Sequence, residues 1–60
     1  MNATRKKRLG EALDIIEQVI GEEEEAAINL PENFEAKREQ LEENIDRLGE
    51  ARDALLDIIT

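Results

Sequence analysis

Carboxylates are the only side chains in this 60-residue chain numerous enough to do chemistry, sixteen against eight Lys and Arg. They concentrate in the run "EEEE", Glu22–Glu25, and recur in the stretch "ENID", Glu43–Asp46. Carboxylates three residues apart on a helix lie on nearly the same side. From there they can take a hard divalent cation, or act as a general acid and base if their environments separate their pKa values. The rest of the catalytic inventory is missing. There is no Cys, His, Ser, Tyr or Trp, and the only hydroxyl side chains are Thr4 and Thr60. Nucleophilic catalysis therefore has no Cys, Ser or His, and neither a disulfide nor a thiolate metal site is possible. Lys37, the one Lys outside the N-terminal "RKKR", sits among carboxylates that keep it protonated.

The spacing of Glu22, Glu25, Glu43 and Asp46 resembles the ExxE…ExxD pattern of all-alpha nucleotide pyrophosphatases. That resemblance implies carboxylates pointing into a bundle to hold magnesium. Projected at 100° per residue, all four point away from the apolar stripe of their helices, so the resemblance is rejected. A two-helix subunit also leaves little room for the desolvated pocket that acid–base work requires. The expectation is a protein without metal, cofactor or enzymatic activity.

The elements that carry these residues follow from periodicity. Leu9, Ala12, Leu13, Ile16, Val19, Ile20 and Ala27 step by threes and fours, as do Leu41, Ile45, Leu48, Ala51, Leu55, Ile58 and Ile59; that is the helical signature. The chain is expected to be all-α, one helical-hairpin domain over residues 1–60. Helix 1 spans about 4–28, the loop 29–32 and helix 2 about 33–59. Asn2 or Thr4 caps the first helix. Asn29 ends it in a left-handed conformation, and Pro31 suits the first turn of the second. Folding about Glu32 sets Ile16 opposite Leu48 and Leu9 opposite Leu55.

Two helices in contact need only a narrow seam, and these apolar arcs are wider than that. Ile15, Val19, Leu56 and Ile58 are left over. Leaving one large apolar side chain in water forgoes about 1.5–3 kcal/mol. The excess predicts a homodimer, two hairpins closing a four-helix bundle. Its core is expected to hold Leu9, Leu13, Ile15, Ile16, Val19, Ile20, Leu41, Ile45, Leu48, Leu55, Leu56, Ile58 and Ile59. It should be tighter at the end holding the chain termini, because the apolar stripe of helix 1 fades after Ile20.

Charge is distributed unevenly. Residues 1–8 carry four basic groups, Arg5, Lys6, Lys7 and Arg8, whereas residues 9–60 carry four basic and sixteen acidic ones, a net of −12. In the hairpin "RKKR" falls beside Asp53 and Asp57, so an intramolecular charge match is expected. The acidic remainder repels nucleic acid. Among the four glutamates, Glu22 and Glu25 point outward, Glu24 flanks the stripe and Glu23 falls within it, after a Gly21 expected to loosen the helix. Glu23 then needs water or a cation, with Lys37 and Arg38 in reach; Arg52 could come only from a second chain. No apolar run approaches the ~20 residues that span a bilayer, and no apolar signal core follows "RKKR". The expected setting is the cytoplasm, away from membranes.

The region from "EEEEAAINLPENF" through "LEENIDRLGEARDALLDI", residues 22–58, spans about two thirds of the chain. With the loop "NLPE", Asn29–Glu32, it resembles a group of short acidic helical-hairpin proteins of Gram-positive bacteria and their phages. The shared pattern places Glu22–Glu25 and Ala26 before the loop, and Glu42, Ile45, Leu48, Glu50, Ala51, Asp53 and Leu55 after it. The group has no agreed catalytic activity. The resemblance implies an inhibitor of a larger host protein, since small acidic phage proteins often block restriction, CRISPR or helicase–nuclease defences such as Hachiman. Glu22, Glu23, Glu24, Glu25, Glu39, Glu43, Asp46 and Glu50 are then the candidate partner surface. Two other readings stay open. One is a nucleic-acid mimic presenting Glu39, Glu43, Asp46, Glu50, Asp53 and Asp57 at ~5–6 Å intervals. The other is a small regulatory or antitoxin-like hairpin.

Overall fold

In the computed structural model, which describes all 60 residues, α1 runs from Ala3 to Ile28 and α2 from Glu35 to Ile59. They pack side by side as an antiparallel hairpin, a rod of 49 × 14 × 11 Å with no strand. The N-cap of α1 is Asn2, whose side-chain oxygen accepts from the Arg5 backbone N–H at 2.8 Å. That satisfies one of the four donors a helix start leaves unpaired. Gly21 does not interrupt α1. The helix passes through it with no residue in the left-handed region, so the expected loosening is absent.

The loop differs from its expected form. It extends from Asn29 to Phe34, and α2 starts two residues later than the sequence suggests. Asn29 closes α1 in the right-handed region, φ −84° and ψ −3°, with its N–H bonded to the Glu25 carbonyl at 3.1 Å, while the Ala27 carbonyl accepts from the Leu30 N–H at 3.4 Å. A left-handed cap is not needed when the Asn29 N–H still finds a helical acceptor. Pro31 stays outside α2; its carbonyl accepts from the Phe34 N–H at 3.1 Å. Its fixed φ suits a turn as well as a helix start, and here the turn prevails. Phe34 occupies the N-cap of α2 and supplies no side-chain acceptor there.

The seam between the helices is the stripe read from periodicity. On α1 it contains Leu9, Leu13, Ile16, Val19, Ile20, Glu23 and Ala27, continued by Leu30 of the loop; on α2, Leu41, Ile45, Leu48, Arg52, Leu55 and Ile59. Only Ile20 and Leu41 are buried, at 7% and 9% exposure. Both lie toward the loop half, not the terminal half expected to be tighter. At the loop end Leu30 and Arg38 are half-buried and joined by a hydrogen bond, whereas Thr4, Arg5, Ile58 and Thr60 at the other end are exposed.

Candidate interaction surfaces

Each helix carries an acidic outer side. Glu22, Glu24 and Glu25 on α1 and Glu39, Glu43, Asp46 and Glu50 on α2 are exposed, and Asp53 and Asp57 continue the α2 row. Glu23 is half-buried in the seam, as its place in the stripe requires. No cation pairs with it. The ion pairs are Arg47–Glu43 at 2.7 Å, one turn apart on α2, and Arg52–Asp53 at 3.3 Å. Arg38 turns instead to the loop, where its guanidinium donates to the Leu30 carbonyl at 3.0 Å. A backbone carbonyl fixed nearby needs less reordering than a carboxylate on a long side chain.

The expected match between "RKKR" and Asp53 or Asp57 does not form as ion pairs. Arg52 takes Asp53 from the adjacent position, and exposed Lys and Arg lose side-chain entropy when held across a helix gap for little Coulomb gain. Arg5, Lys6, Lys7 and Arg8 are all exposed. No group of three carboxylates converges as a metal site would require. Glu22, Glu25, Glu43 and Asp46 sit on outer sides, as their projection indicates.

One shallow groove runs along the front of the hairpin. It is lined by Ile20 and Glu24 from α1 and by Ile45, Asp46, Gly49, Glu50, Arg52 and Asp53 from α2. Arg52 lines this groove together with Glu24 but pairs with Asp53 on its own helix, and no ion pair with Glu23 forms within the chain. The groove also fixes which flanks of the helices adjoin. Ile20, Glu24 and Gly49 mark the front; by helical projection the opposite flanks, with the exposed Ile15 and the seam-edge Val19 on α1 and the exposed Ala51 and Ile58 on α2, form the back.

Of the thirteen side chains assigned to a dimer core, ten line the seam, and three stand in solvent: Ile15 at 59%, Ile58 at 55% and Leu56 at 37% exposure. Met1, Ile28 and Phe34 are further large apolar groups left exposed. Sequence reasoning missed the role of Arg38. Its position on the inner side of α2, one turn beyond the loop, was the available signal.

The fold defines an all-α antiparallel hairpin. Comparisons with protein-family models, curated proteins and solved structures gave no significant match. No helix is long and apolar enough to cross a membrane.

Proposed function

We propose that this chain is a non-enzymatic interaction protein: a small acidic homodimer, two hairpins in a four-helix bundle, that binds and inhibits a larger cellular protein. The observation that carries the reading is the shortage of interior. Two of 60 residues are buried, while Ile15 and Ile58 remain more than half exposed on one face. Chains this small draw stability from oligomerisation or another staple, and a second hairpin is the cover that matches a flat two-helix face. The acidic outer sides then form the surface offered to a partner. The resemblance carried by "EEEE" and "NLPE" favours a phage anti-defence factor acting in the cytoplasm of a bacterial host.

Light scattering at micromolar concentration should give about twice 6.8 kDa. Capture from host lysate should recover a partner with the native chain and lose it with Glu24, Glu25, Glu39 and Glu50 neutralised to Gln. A monomer by mass, or equal recovery by the neutralised chain, would sink the respective half of the proposal.

A second reading rests on the α2 row. Glu39, Glu43, Asp46, Glu50, Asp53 and Asp57 are all exposed along one helix, and neighbours one turn apart lie ~5–6 Å from each other. Such a row suits a basic groove that normally holds a nucleic-acid strand. Binding of that kind falls steeply with salt and is competed by DNA; binding through apolar side chains is not.

A further inference from the structure

The back face of the hairpin carries a charge pattern that distinguishes between ways of covering it. Along α1 the back flank reads Arg8, Ala12, Ile15, Val19, Glu22, with steps of four, three, four and three. Arg8 and Glu22 each lie seven residues from Ile15, on opposite sides. Turned end for end about Ile15, this stripe meets itself with Arg8 on Glu22, Ala12 beside Val19, and Ile15 on Ile15. Steps of three and four keep all five residues on one helical side. Arg8 and Glu22 are exposed and neither takes part in an intramolecular ion pair.

The whole hairpin repeats the asymmetry. Its terminal half, residues 1–15 with 50–60, holds five basic and five acidic side chains, a net of zero. Its loop half, residues 16–49, holds three basic and eleven acidic ones and so carries the full −8. Two copies with like ends together would put both loop halves, −16 in all, at one end of the bundle. Opposite ends together set each acidic half beside a partner's basic start. Like-charge juxtaposition is costly and opposite charge fixes register.

We propose that the back face is covered by a second copy of this chain in antiparallel register, α1 against the partner's α1, with Ile15 on the two-fold axis and Arg8 paired with the partner's Glu22. This rests on the homodimer reading above and adds its geometry: the loops project from opposite ends of the bundle, and the two glutamate runs lie far apart. A two-fold contact uses the same patch on both copies, so a self-complementary stripe is what it requires.

Spin labels on Thr4→Cys test the arrangement, because the native chain has no Cys to interfere. Antiparallel pairing separates the two labels by about 35 Å at 1.5 Å per residue, whereas like ends together hold them within about 20 Å, given interaxial distances of 8–10 Å. Charge reversal gives a second readout. Arg8→Glu and Glu22→Arg should each weaken dimerisation by about tenfold or more, and the chain carrying both should regain native affinity with unchanged helicity by circular dichroism. The long distance together with this rescue supports the proposal. A short distance, or a double variant no tighter than the singles, overturns the register while leaving a dimer. A monomeric mass with no dipolar signal overturns the homodimer beneath it.

Discussion

Arg38 reaches from the second turn of α2 back to the loop, where its Nη2 donates to the carbonyl oxygen of Leu30 at 3.0 Å. The same nitrogen lies 3.5 Å from the Pro31 carbonyl. Two consecutive loop carbonyls are thus held by one cationic donor. Hydrogen bonds to charged groups contribute about 1.5–3 kcal/mol, less where water competes. Arg38→Ala should therefore lower stability by about 1 kcal/mol, a fall of roughly 4–8 °C in melting temperature for a domain of this size. Arg38→Lys keeps the charge but gives up the planar fork, and should fall between the two. A thermal melt followed by circular dichroism at fixed concentration reads both. An unchanged melt for Arg38→Ala would mean the loop is held by Pro31 and its backbone bond alone.

Glu23 lies half-buried between Ile20 and Ala27 on the seam, with no cation against it. Replacing it extends the apolar stripe by one position. Glu23→Leu should stabilise the protein by on the order of 1 kcal/mol through added apolar burial. If the glutamate run serves a partner, the same variant should bind that partner less well, the usual opposition of function and stability. A lower melting temperature would instead reveal a cation reaching Glu23 from another chain.

Gly10 and Gly21 are helical glycines at which an added Cβ would meet nothing within 4 Å. Neither has positive φ. Gly in a helix interior costs about 1 kcal/mol relative to Ala. Gly10→Ala and Gly21→Ala should each raise unfolding stability by roughly 0.5–1 kcal/mol, partly by restricting the unfolded chain. Chemical denaturation of each variant is the measurement. A loss of stability at either site would point to a close neighbour from outside the hairpin.

Ile16 sits at the middle of the α1 stripe, one turn before the buried Ile20. A carboxylate there has no partner and costs several kcal/mol. Ile16→Asp should abolish cooperative folding, seen as loss of helical signal at 25 °C. Retained helicity would show that the stripe is not the stabilising contact.

The stripes themselves were legible in the sequence because a helix repeats every three to four residues and large apolar side chains are the only ones that gain by being covered. Even Glu23 fell where its position in the series placed it, since a single polar residue cannot shift a whole helical face. The loop was less legible. Asn29 and Pro31 each fit more than one local conformation, and hydrogen bonds to Glu25, Ala27 and Phe34 decided between them. Charge pairing was the least legible. "RKKR" and Asp57 lie at the same end of the rod, but exposed ionic side chains choose partners by local geometry, and adjacent Asp53 claimed Arg52 first. What the outer carboxylates contact cannot be read from their own spacing, because sixteen acidic groups on two helices produce regular rows under almost any arrangement.

The scarcity of interior has a kinetic corollary. Contacts in a hairpin of two helices are local along the chain, and such topologies fold in microseconds to milliseconds. Forming the hairpin is therefore not the slow event in producing functional protein. Only Ile20 and Leu41 are buried; if a second copy covers the remaining apolar flank, as proposed above, the folded form gains a contribution that grows with the logarithm of its concentration. Below that concentration, the chain spends more time open and meets proteases more often. The lifetime of this molecule in a cell would then follow its own abundance: short when scarce, long once synthesis outpaces degradation, with a threshold set by the affinity of the cover rather than by the helices.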